Sequence, residues 1–236
     1  MPPHESVPLS SPVAANRRQW LRNGLTLSAG AVLGLTGALH GRPAHAGAQK
    51  EEDLVDSVRT ALTSAVGNFG PPEPQFFSTE ARLHYLRWLG TMSDRLRRRK
   101  PEWEVRRDFL QTVWYEAKRA GLDVSLVLGL IQVESAFRKY AVSSVGARGY
   151  MQVMPFWTRV IGDGDPGKLF HMQTNLRFGC VILRHYIERE RGDLFMALGR
   201  YNGSRGKSPY PDAVFSAQRN WVFPPPLQTA ELRSNG

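Results

Sequence analysis

The chain has 236 residues, of which 42% are hydrophobic and 22% charged, and its formal net charge is +10. This length suffices for one sizeable core with additional segments, and the composition excludes a largely disordered chain and a membrane bundle. The positive charge favours polyanionic partners, which include nucleic acid, anionic membrane and the acidic polymers of a cell wall. The single cysteine, Cys180, excludes an intrachain disulfide and is expected to be buried and inert.

The first 46 residues resemble an export signal. Arg17 and Arg18 precede a weakly apolar stretch over residues 24–39, and residues 44–46, Ala-His-Ala, fit the small-x-small pattern of a signal-peptidase site. The arginine pair is typical of the twin-arginine route, and the apolar stretch is short for a stable membrane span. We therefore predict that residues 1–46 are a cleaved signal peptide and that the protein is periplasmic. An uncleaved N-terminal anchor is the alternative.

Residues 47–100 are predicted to form a helical N-terminal extension. Apolar residues recur at helical spacing over residues 50–66 and 79–99, and a Gly/Pro-rich break separates the two stretches. In the second stretch, the leucines at 83, 86, 89 and 96 are expected to share one side. The basic run at residues 97–100 is most simply a solvated helix end, and contact with a polyanion is the alternative.

The pattern is denser from residue 101 onward, where residues 101–223 are predicted to form the main helical domain and 224–236 a Pro-rich polar tail. Helices are expected over residues 103–120, 124–137, 151–160, 175–191, 194–201 and 212–221. Asp123 is predicted to cap the second of these. No apolar/polar alternation is long enough for a sheet, so the expected fold class is mainly α with at most a short β element.

Glu134 breaks the pattern of its own helix. Helical spacing places it on the apolar face that carries Leu130 and Ile131. Burial and the nearby helix C-terminus both raise a carboxyl pKa, so such a glutamic acid could keep its proton to about pH 6, as a general acid requires. The alternative is a glutamate that turns outward or pairs with an arginine such as Arg138 or Arg148.

Three short motifs, numbered here in chain order, carry most of the remaining information. They read Ile-Gln-Val-Glu-Ser-Ala-Phe at 131–137, Gly-Tyr-Met-Gln-Val-Met-Pro at 149–155 and Arg-Tyr-Asn-Gly at 200–203. Together they resemble the catalytic domain of the soluble lytic murein transglycosylase (SLT) family, relatives of goose-type lysozyme, which shows Glu-Ser, Gly-Leu-Met-Gln-x-Met-Pro and Ala-Tyr-Asn-Ala-Gly in this order. The resemblance covers about residues 103–210 and implies a lysozyme-like helical fold.

The resemblance also implies roles for individual residues. Glu134 matches the family's single catalytic acid/base, and Ser135 is its usual companion. Gly146 and Gly149 would let the loop backbone approach the sugar. The remaining positions implied to line the glycan cleft are Ser143, Gly149, Tyr150, Gln152, Met154, Tyr201 and Asn202.

Two departures from the family pattern concern the cleft. Tyr150 replaces a leucine, which suits an apolar wall. Arg200 replaces a small alanine before Tyr201, so it could alter which glycan or peptide stems are accepted, or it could form an ion pair with an acid on a helix. The segment after Tyr201 is short, so the sequence does not determine whether the cleft is closed on that side.

The reaction implied by the resemblance needs one carboxyl group and neither metal nor cofactor. The glutamic acid protonates the bond between N-acetylmuramic acid (MurNAc) and N-acetylglucosamine (GlcNAc), and the muramic 2-acetamido group supports the developing charge. The ionised glutamate then takes the proton of the 6-hydroxyl, which closes a 1,6-anhydro ring. Ordinary glycosidases need two carboxylates, and nothing in the sequence brings Asp163, Asp165 or Asp193 to the cleft.

Three other readings compete with this one. A muramidase on the same fold would use water and a second carboxylate, and a glycan-binding module would use the groove without cutting. A nucleic-acid-binding protein would fit the charge, but no nucleic-acid motif occurs and export argues against it. The expected partner is therefore peptidoglycan, with no nucleic acid and no membrane span after signal cleavage; a partner in a secretion or cell-wall machinery stays open.

Overall fold

A computed structural model describes residues 49–51, 54, 56–67 and 74–224, all of which belong to one compact unit. The predicted signal peptide, its cleavage site and all but one residue of the Pro-rich tail lie outside these residues. Among the described helices, none combines the length and the apolar character needed to cross a bilayer.

The described part of the chain is mainly helical, as predicted. Its only β pairing consists of isolated bridges that join Arg148 to Val142 and to Val153. Short 3-10 turns occupy Pro166–Phe170 and Arg219–Trp221. The α-helices are α1 (Asp56–Gly67), α2 (Thr79–Leu96), α3 (Trp103–Arg119), α4 (Val124–Ser135), α5 (Phe156–Ile161), α6 (Met172–Arg189), α7 (Leu194–Asn202) and α8 (Pro209–Gln218).

Helix α4 runs through the core and is buried on most sides. The carboxylate of Asp123 accepts the Leu126 amide at 3.0 Å, which confirms the predicted N-cap. The helix ends two residues before the predicted end, because Ala136 and Phe137 both have positive φ angles, 49° and 66°. Gly129 allows α8 to pack closely, since a Cβ atom there would lie 2.7 Å from the backbone nitrogen of Gln218.

The buried face of α2 differs from the predicted one. Leu83 and Leu86 are 46% and 48% exposed, whereas Leu89 and Leu96 are buried as expected. The buried stripe instead follows aromatic and apolar residues at the spacing i, i+3, i+4, i+7 and i+11. Its members are Tyr85, Trp88, Leu89, Met92 and Leu96.

The basic run after α2 is only partly a solvated helix end. Arg97 pairs with Asp94 at the surface, as expected for such an end. Lys100, in contrast, is buried, and its ammonium group donates to the Tyr150 hydroxyl at 2.8 Å. It also lies 5.2 Å from the ring centroid of Phe109. Burial lowers the pKa of Lys100.

Prolines shift the starts of two helices from their predicted positions. Helix α5 begins at Phe156 instead of Met151, because Pro155 disfavours helical backbone in the residue before it. Helix α8 begins at Pro209 instead of Asp212, because proline is tolerated in a first turn, where its missing N–H has no partner to lose. Cys180 is buried, as predicted, and burial raises its pKa.

Candidate active site

Glu134 lies in the last turn of α4 and is 5% exposed. Because α8 packs against α4, it brings the hydroxyl of Tyr210 to this carboxyl group, and Tyr210 donates a hydrogen bond to Oε1. The second oxygen, Oε2, is buried without a hydrogen-bond partner among the described residues. The two carboxyl oxygens therefore differ: one is held and the other is unpaired.

Burial sets the protonation state of Glu134. Loss of solvation raises the pKa of Glu134 to about 8, against the smaller opposing effect of the Tyr210 hydrogen bond. The group is therefore protonated at neutral pH. The alternative of a glutamate that turns outward or pairs with arginine is wrong, because Arg138 donates to the carbonyl of Ser135 and Arg148 to that of Pro166.

The loop between α4 and α5 is held from within by Gln152. Its backbone is left-handed, with a φ of 48°, and its side-chain amide donates to the carbonyls of Ala141 at 3.1 Å and Gly149 at 2.9 Å. The side chain is buried. Gln152 therefore fixes the shape of the loop that carries the second motif.

Asn175, which the sequence analysis missed, fixes the same loop from α6. Its amide oxygen accepts the Met151 N–H at 2.8 Å. Its amide nitrogen donates to the carbonyls of Arg148 at 2.8 Å and Leu169 at 2.9 Å. The available signal was an asparagine that shares a helix face with apolar residues, such as Phe178 three positions further on.

The third motif is bonded to this loop and lies close enough to Glu134 to interact with its charge. Tyr201 is fully buried and donates its hydroxyl proton to the carbonyl of Met151 at 2.8 Å. Burial raises the pKa of Tyr201 well above its ordinary value, and the charge of Glu134 adds to this effect. Asn202, also buried, accepts a hydrogen bond from Ser204 at 3.0 Å.

Three other predicted site residues form hydrogen bonds within the protein. The buried hydroxyl of Ser135 donates to the carbonyl of Ile131 within α4, and buried Tyr150 is engaged by Lys100. Ser143 is half-buried and accepts the Ala147 amide at 3.0 Å. Their contact with substrate, like that of Gly149, Gln152, Tyr201 and Asn202, stays a prediction.

Gln49, which the sequence analysis did not single out, reaches the site from the N-terminal segment. Its amide oxygen accepts the N–H of half-buried Met154 at 3.3 Å. The Gln49 side chain also lowers the pKa of Tyr201, in opposition to burial. Its Nε2 atom is buried and has no hydrogen-bond partner among the described residues. The side chain is 4% exposed, so this segment is inserted beside the second and third motifs.

Arg200, which replaces the family's alanine, forms an ion pair with an acid on a helix, as one of the two alternatives predicted. Its Nε lies 2.7 Å from Oε1 of Glu190, at the end of α6. Arg205 bonds the same carboxylate through Nε and Nη2 at 2.7 and 2.9 Å. Hydrogen bonds from Arg205, and then those from Arg200, hold the pKa of Glu190 down at about 2.

The candidate second carboxylates serve other purposes. Asp163 pairs with Lys168, Asp165 accepts the Gly167 amide at 2.8 Å, and Asp193 caps α7 by accepting the Met196 amide at 3.0 Å. Among the described residues, no other carboxylate shifts the pKa of Glu134.

Comparisons with known proteins find relatives of the region that carries this site. Residues 111–212 match the family described as Transglycosylase SLT domain. Membrane-bound lytic murein transglycosylase C from Glaesserella parasuis serovar 5 is 55% identical over 89 residues, and that from Actinobacillus pleuropneumoniae serotype 5b is 42% identical over the same length. Each alignment covers 34% of this chain but only 24% of the relative. The chain thus matches about a quarter of these curated relatives.

Among solved structures, an inactive mutant of the lytic transglycosylase Slt from Pseudomonas aeruginosa is 24% identical, with a TM-score of 0.39. The alignment covers 60% of this chain and 27% of that one. The family match and the curated relatives confirm the resemblance that the three motifs indicated. The chain therefore carries a catalytic domain of the transglycosylase SLT family, matched over residues 111–212.

Proposed function

We propose that the protein is a peptidoglycan lytic transglycosylase that cleaves the β-1,4 bond between MurNAc and GlcNAc without water and leaves 1,6-anhydro-MurNAc ends. One observation carries the proposal. Glu134 is buried, protonated at neutral pH and bonded through only one of its oxygens among the described residues. This is the state that a general acid needs before it reacts.

The first step transfers the proton of Glu134 to the oxygen that bridges the two sugars. Because Tyr210 donates to Oε1, the proton is best placed on Oε2, which forms no hydrogen bond with the described residues. The bond from the muramic C1 to the bridging oxygen breaks, the GlcNAc leaves with a hydroxyl, and the 2-acetamido group supports the positive charge at C1.

The second step returns the proton to Glu134. The carboxylate takes the proton of the muramic 6-hydroxyl while the oxygen of that hydroxyl bonds to C1. No water is consumed, and Glu134 is protonated again. A pKa of about 8 suits a group that must give and then take a proton near neutrality. The engagement of Asp163, Asp165 and Asp193 elsewhere favours this route over a muramidase with two carboxylates.

The proposal extends to organisation and location. Residues 1–46 serve as a twin-arginine-like export signal that delivers the protein to the periplasm, and residues 47–100 form a helical extension to the catalytic domain at 101–223. The names of the relatives, which place lytic murein transglycosylases at a membrane, support an envelope location. Peptidoglycan glycan strands are the substrate.

The test is the chemical identity of the products. Purified protein is incubated with isolated sacculi, and the released muropeptides are measured by mass spectrometry, with Glu134→Gln as the control. We expect products that end in 1,6-anhydro-MurNAc, lighter by one water than hydrolysis products, and none from the variant. Hydrated reducing ends would instead assign a muramidase, and release of no product would leave a glycan-binding module.

Tyr210→Phe is expected to lower kcat/KM about tenfold and to shift its pH profile. The hydrogen bond from Tyr210 lowers the pKa of Glu134, so its removal raises that pKa further. The fall in activity at high pH, where Glu134 loses its proton, therefore moves to higher pH. The measurement is kcat/KM on solubilised glycan strands between about pH 5 and 10.

A suitable control for Tyr210→Phe is Tyr140→Phe, because Tyr140 is 70% exposed and its substitution removes the same hydroxyl group. The control is expected to retain the wild-type profile. A Tyr210→Phe profile that loses height without moving along the pH axis would contradict the assigned effect on Glu134.

A further inference from the structure

The oxygen of Glu134 that is proposed to give the proton is closed to solvent in the structure. Oε2 is buried, and the residue as a whole is 5% exposed. A general acid must come within about 2.6–3.2 Å of the atom that it protonates. The bridging oxygen of a glycan strand can therefore reach Oε2 only if a group that now covers the site moves away.

The groups that surround Glu134 from the helices and the second motif are firmly held. Tyr201 and Tyr210 are buried side chains of α7 and α8, and the Tyr201 hydroxyl also bonds the backbone of the second motif. The loop that carries this motif is fixed by hydrogen bonds from Gln152 within it and from Asn175 on α6. We therefore look for the movable cover in another part of the chain.

Residues 49–51, the N-terminal strap, reach the same place from the N-terminal extension. The strap is not helical, yet Gln49 within it is only 4% exposed. The amide oxygen of Gln49 accepts the Met154 N–H, and the side chain lies close enough to Tyr201 to lower the pKa of its hydroxyl. The charge of Glu134 raises the pKa of the same hydroxyl. Gln49 and Glu134 are therefore neighbours of one hydroxyl group.

The contacts that hold the strap are weak. The hydrogen bond from Met154 to Gln49 is 3.3 Å long, beyond the usual range of about 2.7–3.2 Å. Glu51 pairs with Arg159 at 3.8 Å, but both side chains are more than half exposed, at 59% and 63%, so the pair contributes little. Firmer anchorage is found at Leu54, which is buried in the core. The strap can thus leave the site while the following residues stay in place.

We propose that the N-terminal strap is an autoinhibitory cover, which a glycan strand must displace from Met154 before it can reach Glu134. The inference rests on the proposed function. Gln49 ends in an amide, and the acetamido groups of MurNAc and GlcNAc are also amides, with the same kinds of acceptor and donor. The Met154 N–H, at a position that the family resemblance implies to line the glycan cleft, can bond Gln49 or a sugar. Because only molecules with a displaced strap bind glycan, the apparent affinity is reduced by the fraction of such molecules.

Gln49→Ala removes the amide and is expected to raise kcat/KM on solubilised glycan strands about three- to tenfold, mainly through a lower KM. Glu51→Gln, which loosens the strap without changing Gln49, should act in the same direction with a smaller effect. The control is Gln75→Ala, because Gln75 is an exposed glutamine outside the helices, and it is expected to keep wild-type kinetics. An unchanged or lower kcat/KM for Gln49→Ala would overturn the proposal.

A second readout does not depend on cleavage. Backbone hydrogen exchange of the Glu134→Gln variant is measured with and without a tetramer of N-acetylglucosamine. We expect the tetramer to speed exchange in the strap and to keep the loop around Met154 protected. With Gln49→Ala added, the tetramer should bind about three- to tenfold more tightly. Slower exchange in the strap on binding would overturn the proposal, because the strap would then close over the sugar as a lid.

The outcomes separate the two proposals. If neither the unmodified protein nor Gln49→Ala releases product from sacculi, but the tetramer speeds exchange in the strap, the proposed reaction fails and the strap remains the cover of a glycan-binding site. If both proteins release anhydro products with equal kcat/KM, the reaction stands and the autoinhibitory strap is wrong.

Discussion

Glu134→Gln is expected to lower kcat/KM on isolated peptidoglycan by about three orders of magnitude or more, with the fold retained. The amide keeps the size of the carboxyl group, and its oxygen can accept the Tyr210 hydrogen bond. It cannot give a proton to the bridging oxygen or take one from the 6-hydroxyl. Both steps of the proposed reaction therefore lose their catalyst.

The pH dependence of stability gives a folding control for this variant. The pKa of Glu134 is about 8 in the fold and 4.5 as the ordinary value, so between these values the folded state holds a proton that the unfolded state has lost. The free energy of unfolding of the wild type therefore falls as pH rises from about 4.5 to about 8. Glu134→Gln does not titrate and lacks this fall. Its melting temperature relative to wild type should rise over that window.

Glu104→Gln is the matched control, because Glu104 is an exposed glutamate in the first turn of α3. It is expected to retain wild-type activity and pH dependence. Two results would count against the assignment of Glu134: a folded Glu134→Gln variant that keeps most of its activity, or a stability difference that does not change with pH.

The position of Glu134 could be predicted because local rules determine it. The Asp123 cap sets the start of α4, and helical spacing then places Glu134 on the buried face with Leu130 and Ile131. The same rules cannot supply its partner. Tyr210 lies 76 residues further along the chain and reaches Glu134 only through the packing of α8 on α4.

The errors along α2 have a different physical origin. Tyr85 and Trp88 have large apolar surfaces with a polar group, and their aromatic contacts, such as that of Trp88 with Trp114 at 4.6 Å between ring centroids, set the buried face. Leu83 and Leu86, although more apolar by type, are left outside. Lys100 is buried for a similar reason, because Tyr150 and Phe109 offer it a hydroxyl and an aromatic face.

The loop that carries the second motif was predicted as a sequence pattern but not as a shape. Its conformation depends on hydrogen bonds from Asn175, on another helix, and on left-handed backbone at Gly149 and Gln152. Glycine indicates that such backbone is allowed. It does not indicate which distant side chain will hold it.

Gly149→Ala is expected to destabilise the fold by about 3–5 kcal/mol and to remove most activity. Gly149 has a φ of 75°, where a Cβ atom is strained, and that atom would also lie 2.6 Å from the carbonyl oxygen of Leu169 and within overlap of the Asn175 amide. Asn175 would have to move, which breaks its bonds to Met151, Arg148 and Leu169.

Gly146→Ala separates the two causes, because Gly146 has a similar φ of 87° in the same loop but open space around the added carbon. It should show the backbone strain alone, about 1 kcal/mol, with most activity retained. Both variants are compared with wild type by urea denaturation and by cleavage of sacculi. Equal losses for the two glycines would mean that backbone strain alone accounts for the effect and that contact with Asn175 does not shape the active-site loop.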